Sequence, residues 1–204
     1  GSAMKRLITS STRVKLLYAP ASQLRTLITA IDRTRKRKVL PFSARTTILT
    51  HLPGIEPDRF HVIPHGRNFQ QLAILRQRPR HGDPLRILVP GNISMAKGLG
   101  IIRALLDRDS AGLLEFHILG NIDPTQGISH PRLIQHGAYK RDEFAQRVKA
   151  LSVHLGAVFS IWDETYCHTL TELWSVGVPP LVFDFPTVAG RVRTSEAGWV
   201  LPHD

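Results

Sequence analysis

The 204 residues are 42% hydrophobic and 21% charged, enough apolar content to fill the core of one large domain, or one domain plus part of another, so disorder is not the default expectation. No apolar run approaches the roughly 20 residues of a membrane-spanning helix. The single cysteine, Cys167, excludes an intrachain disulfide framework and any multi-cysteine metal site, and it fits a reducing compartment such as the cytoplasm. The net charge of +11 favours anionic partners without choosing among nucleic acid, acidic lipid and a phosphorylated small ligand.

The chain opens with Gly1-Ser2-Ala3-Met4, which lacks a signal-peptide pattern and reads as a cloning scar before Lys5. Val14 to Tyr18 forms a short apolar strand, Pro20 breaks it, and Leu24, Leu27, Ile28 and Ile31 recur at helical spacing. The densest basic run, Arg33 and Arg35 to Lys38, is better read as a solvated helix end than as a binding patch. Phe60 to Pro64 reads as another strand, ending in His65-Gly66. Residues 70–84, with Arg76, Arg78, Pro79, Arg80, Gly82 and Pro84, have the composition of a linker.

Beyond the linker the rhythm is regular. Strands are expected at Leu85 to Pro90, Leu114 to Leu119, Leu133 to His136, Ala157 to Trp162 and Pro180 to Phe183. Helices are expected at Lys97 to Leu106, Asp142 to Leu151 and Thr169 to Val176, with stripes of Ile101, Ile102, Leu105 and Leu106 in the first and Phe144, Val148 and Leu151 in the second. Nearly all-apolar strands alternating with amphipathic helices predict a parallel sheet covered on both faces, a doubly wound α/β fold of Rossmann-like type. Ligands of such sheets sit at the carboxyl ends of the strands, where helix N-termini leave amides free.

Two clusters follow strands in this way. The first is Pro90-Gly91-Asn92-Ile93-Ser94-Met95-Ala96-Lys97-Gly98, in which the glycines allow close backbone approach and Lys97 adds a cation at a helix start. It matches neither common phosphate-loop pattern, so a plain turn with a solvated lysine is as good a reading of these residues alone. The second is Asp163-Glu164-Thr165-Tyr166-Cys167-His168-Thr169-Leu170-Thr171-Glu172. Glu164 lies in a strand-to-helix loop, where a carboxylate could accept sugar hydroxyls or stabilise positive charge at an anomeric carbon. Glu172 also fits a capping box with Thr169, reaching back to the helix start. His168 and Thr169 could be polar residues that begin the helix, and Cys167 a small packed side chain rather than a nucleophile.

The order VIPHG, LVPGNISMAKG, FHILG, HGAYKRDEF and ETYCHTLTE with GVPPLVF resembles the second domain of retaining GT-B glycosyltransferases of the group 1 family, over roughly residues 60–204. The spacing from Glu164 to Glu172 matches that family's paired glutamates, E-x7-E. The resemblance implies a nucleoside-diphosphate sugar as donor, carrying UDP, GDP or dTDP, and a domain architecture with residues 5–69 belonging to the end of an acceptor-side domain, 70–84 linking, and 85–204 holding the donor. It implies that Lys97, with Gly91 and Asn92, meets the donor diphosphate, that Glu164 contacts the donor sugar, and that Glu172 holds the ribose. Ala138 and Tyr139 would lie against the base, and Thr165, Tyr166, Cys167, His168 and Thr169 would offer backbone amides to sugar and phosphates. Glu164 and Lys97 would then be the catalytic pair, with no cofactor and no metal, since cations and helix dipoles neutralise the leaving diphosphate.

Two departures stand out. The family commonly has Arg where this chain has Asn92, which removes a bidentate, permanently charged phosphate partner. Many members have Gly-Phe-Gly where this chain has Thr165-Tyr166-Cys167. The sequence therefore predicts the donor-binding half of a retaining, hexosyl-type glycosyltransferase, truncated at both ends, inactive alone, and partnered by an acceptor domain outside this chain. A cytoplasmic location, at the inner face of an anionic membrane surface if the acceptor is lipid-linked, accords with that resemblance. The alternatives are a degenerate nucleotide-sugar-binding module and a nucleic-acid-binding protein; the latter is disfavoured because only Tyr18 lies near the basic run.

Overall fold

The computed structural model describes residues 49–52, 54 and 73–202. The elements expected between residues 14 and 64, the basic run and the first residues of the linker fall outside that range. Within it the order is β1 (Leu85–Pro90), α1 (Leu99–Arg108), β2 (Leu114–Leu119), β3 (Leu133–Gln135), α2 (Phe144–Leu151), β4 (Leu155–Val158), α3 (His168–Ser175), β5 (Pro180–Phe183), α4 (Pro186–Ser195) and β6 (Trp199–Leu201). Short 3-10 turns at Pro124–Gln126 and Arg141–Glu143 interrupt the connections.

All six strands pair in parallel in the order β3-β2-β1-β4-β5-β6. This is a doubly wound, Rossmann-like sheet. Strand order reverses between β1 and β4, and the crevice outside their carboxyl ends is the natural ligand position in such sheets. Alternation along each strand feeds two cores. Leu85, Ile87, Val89, Phe116 and Ile118 pack with Leu99, Ile102, Leu105 and Leu106 of α1 on one face. Leu88, Leu119, Val158 and Val182 pack on the other with Phe144 and Val148 of α2, Leu170 and Leu173 of α3, and Val188 and Val192 of α4. Burying both faces is why β1, β2 and β5 are mostly apolar rather than alternating.

Several boundaries differ from expectation. The strand expected at Ala157 to Trp162 is instead Leu155–Val158. The apolar run continues past the strand because Phe159 is packed into the core while Ile161 and Trp162 turn outward, with the Ile161 amide donating to the Ala96 carbonyl at 3.0 Å. The helix expected from Lys97 starts at Leu99, because Gly98 is its N-cap in the left-handed region at φ 90°. α4 and β6 are additional elements beyond those expected from the sequence.

Residues 73–84 form no helix or strand before β1. They are nevertheless fastened down: the Leu75 amide donates to Val176 O at 2.9 Å, just past the end of α3, and the Gln77 amide to Val153 O at 2.8 Å. At the amino-terminal end of the central strands, opposite the crevice, the amide of Arg86 donates to Nδ1 of the buried His154 at 3.0 Å. Burial, reinforced by the Arg86 charge, pushes the His154 pKa down to about 4. His117 on β2 is bonded on one side to Glu115 at 2.6 Å and on the other to His136 at 3.0 Å.

Candidate functional site

The loop after β1, residues 91–98, and the loop after β4, residues 159–167, lie against each other at the reversal point. Their contact is set by backbone. A Cβ on Gly98 would stand 2.4 Å from the Phe159 carbonyl oxygen, and a Cβ on Gly91 would stand 3.1 Å from Cγ2 of Thr169. Both glycines have φ near +90°, a region an L side chain adopts at a cost. The space left at Gly98 is taken by the Phe159 backbone and that at Gly91 by the Thr169 side chain.

Across this contact Lys97 Nζ donates to Glu164 Oε1 at 2.6 Å. Glu164 is mostly buried and Lys97 about one-third exposed. The Ser160 hydroxyl also donates to Glu164 Oε1, closing the segment 160–164 on itself. Trp162, 52% exposed, stands at the apex of that segment, with the Lys97 ammonium 5.8 Å from its ring centre. The carboxylate is thus held by two donors, one of which a competing anion could draw away.

Glu172 does not close a capping box. α3 begins at His168 with Cys167 as N-cap and no side-chain cap, so Glu172 is a full turn inside the helix. Its buried carboxylate instead accepts from the Tyr139 hydroxyl at 2.6 Å. Tyr139 comes from the segment between β3 and α2, and its ring packs at 5.1 Å against Phe144. The hydrogen bond ties that segment to α3. Ala138 beside it is exposed.

Cys167 is 4% exposed and has φ 67°, in the left-handed region, at a position where many members of the family that the sequence resembles have glycine. Burial, with the neighbouring Glu164 charge, pushes its thiol up to about 11, which favours the protonated form at neutral pH. Its Sγ lies 3.3 Å from the Thr169 hydroxyl. His168 and Thr169 occupy the first turn of α3, whose amides have no partner within the helix. Thr165 is exposed, and the Tyr166 ring stands 5.0 Å from that of His168. Asn92 is exposed and accepts from the Asn121 amide at a long 3.4 Å.

A residue that sequence reasoning did not single out holds this loop from behind. Arg191, on α4, donates from Nη1 to the carbonyls of Tyr166 at 2.6 Å and Cys167 at 2.9 Å, and from Nη2 to the Thr171 hydroxyl at 2.6 Å. Its guanidinium lies 4.1 Å from the Tyr166 ring centre and 5.2 Å from that of Trp174. One turn earlier on α4, the Thr187 amide donates to Asp163 Oδ1 at 3.1 Å. Asp163 Oδ2 is buried without a hydrogen-bond partner, and burial raises the carboxyl's pKa.

The sheet can be compared with solved structures. A lipopolysaccharide outer core galactosyltransferase, WaaB, in its apo form superposes with a TM-score of 0.51 at 20% identity, over 70% of this chain and 42% of that one. The fold is shared with a galactosyltransferase. A GtfA/B complex matches with a TM-score of 0.47 at 16% identity, over 66% of this chain and 27% of that one. The chain thus spans less than half the length of either neighbour. No protein-family model matches the sequence, and no curated protein matches it significantly. Among the described residues no three His, Cys, Asp or Glu side chains are grouped to hold a metal ion, and no helix is long and apolar enough to cross a membrane.

Proposed function

We propose that this chain contains the donor-binding domain of a retaining glycosyltransferase, taking a nucleoside-diphosphate sugar in the crevice beyond β1 and β4. The observation that carries the reading is the pair of side-chain bonds there, Lys97 to Glu164 and Tyr139 to Glu172. Four residues that the sequence resemblance assigns to diphosphate, sugar, base and ribose are thereby joined in two couples on adjoining segments. A random surface lysine and carboxylate have no reason to meet across two loops at the reversal point of the sheet.

In this reading the ion pair opens when donor binds. Lys97 turns to the diphosphate, and Glu164, still held by Ser160, accepts hydroxyls of the sugar. The first-turn amides of α3 add partial positive charge toward the phosphates. Glu172 and Tyr139 hold ribose and base. Stabilising the leaving diphosphate and the positive charge at the anomeric carbon is the electrostatic part of transfer. Acceptor, linkage and any anionic membrane surface belong to the acceptor-side domain of the parent enzyme, and neither metal nor cofactor has a part in the scheme.

The second reading, a degenerate nucleotide-sugar module, is favoured by one observation. Asn92 supplies no charge, and the nearby Arg191 is committed to loop carbonyls and to Thr171, so it does not replace the missing phosphate cation. A thermal-shift screen against UDP, GDP, dTDP and ADP separates the two. Occupancy at 100 times the dissociation constant adds about 2.7 kcal/mol of stability. One nucleotide is expected to shift the midpoint, with Lys97→Ala abolishing the shift and Glu172→Ala weakening it. No saturable shift with any of the four leaves the degenerate module standing in place of the enzyme.

A further inference from the structure

We infer that Arg191 is a positioning residue: it clamps the loop after β4 in a strained conformation that glycine would otherwise be needed to maintain. Three facts lead there. Cys167 carries a side chain at φ 67°, ψ 84°, outside the conformations such residues prefer. The carbonyls on both sides of its Cα, those of Tyr166 and Cys167, accept from the same guanidinium nitrogen, which fixes the orientation of two successive peptide planes. The other nitrogen reaches Thr171 in α3, so loop and helix are held to each other as well as to α4.

The clamp has a second jaw. Thr187 and Arg191 are four residues apart and share a face of α4. The Thr187 amide holds Asp163 at the start of the loop, and Arg191 holds Tyr166 and Cys167 at its end. Glu164 lies between these two points. The rings of Tyr166 and Trp174 flank the guanidinium and restrict it further. A lysine would keep the charge at this position without the planar fork that reaches three acceptors at once.

A consequence for phosphate binding rests on the function proposed above; the clamp itself does not. Cys167 is the only cysteine in the chain, so the rate at which a small thiol reagent modifies it reports opening of this loop alone. In the full 204-residue chain, Arg191→Ala is expected to speed modification by about tenfold or more, roughly the loss of one charge-assisted hydrogen bond. The rate should be insensitive to low denaturant, as a local opening is, whereas a variant that merely destabilises the whole domain shows modification that climbs with denaturant. Arg191→Lys should behave like the alanine variant. Thr171→Ala, which removes one contact, should show a smaller change in the same direction, and it serves where Arg191→Ala does not fold.

Unchanged modification in Arg191→Ala and Thr171→Ala, or full protection by Arg191→Lys, overturns the clamp. A separate titration with whichever nucleoside diphosphate stabilises the unaltered chain reads the consequence. Arg191→Ala should weaken that diphosphate while leaving the corresponding nucleoside within about twofold, since base and ribose are held elsewhere. If no nucleotide binds the unaltered chain, the proposed function fails while the thiol rates still decide the clamp.

Discussion

The two loops that meet at the reversal point of the sheet are kept in place by different means. The loop after β1 relies on absent side chains: Gly91 and Gly98 take left-handed conformations, and Gly98 makes room for the Phe159 backbone. The loop after β4 relies on side chains that are present, with Asp163 and Arg191 fastening it to α4 around the strained Cys167. Steric emptiness leaves no substitute, whereas a conformation held by hydrogen bonds can be supported by more than one residue. The first loop should therefore be brittle under substitution and the second compliant.

The largest effect expected is at Gly98. Gly98→Ala puts a Cβ against the Phe159 backbone at an unfavourable φ, and neither neighbour is a flexible side-chain end. The expected loss is about 3 kcal/mol or more in chemical denaturation. A loss under about 1 kcal/mol would remove the brittle half of the contrast.

The amino-terminal end of the central strands, far from both loops, supplies a control through pH. His154 has its folded pKa depressed to about 4 against an ordinary value of 6.5. The unfolded chain therefore binds the proton more tightly, and stability is full above pH 6.5 and falls as pH drops toward 4. Over that window the loss approaches about 3 kcal/mol at its limit. His136, lowered chiefly by burial, acts in the same direction. Denaturation midpoints at pH 7 and pH 5 in His154→Gln should differ less than in the unaltered chain; an equal difference assigns the pH response to other groups.

Smaller still is the cost of Tyr139→Phe, which leaves the buried Glu172 without its phenol donor. About 1–2 kcal/mol is expected, read by the denaturation midpoint. The smallest effect belongs to Cys167→Gly. Relief of left-handed strain, of order 1–2 kcal/mol, is offset by greater chain entropy and lost burial, leaving a net change of about 1 kcal/mol or less in the same assay. A large loss there would show that the second loop is as brittle as the first.

Legibility in the sequence followed burial. β1, β2 and β5 were readable to the residue because strands covered on both faces are largely apolar runs bounded by turns, broken here only by Arg86, Glu115 and His117. β4 was misplaced by the same rule, since Phe159 extends the run after the ladder has ended. α4 escaped notice because Val188, Ala189 and Val192 are its only buried residues among polar neighbours, and β6 is three residues long. For the candidate site, Lys97, Glu164, Glu172 and Tyr139 came from motif resemblance, whereas their pairing came from geometry. The capping box failed because an N-cap at Cys167 puts Glu172 too far along α3 to reach back. Arg191 had no local signal at all: it is one of 27 lysines and arginines, and its partners lie 20 to 25 residues away.

The connection between Leu75 and Val176 has a mechanical meaning as well. α3 is eight residues long, a rigid rod of about 12 Å, with the crevice at one end and the chain that leads into β1 tied beside the other. The segment that leads into β1 and the first-turn amides of α3 are thereby fastened at opposite ends of one short helix. A reporter dye at the exposed position 80 is expected to respond when a ligand enters the crevice, and an unchanged signal would show that the two ends of α3 are uncoupled.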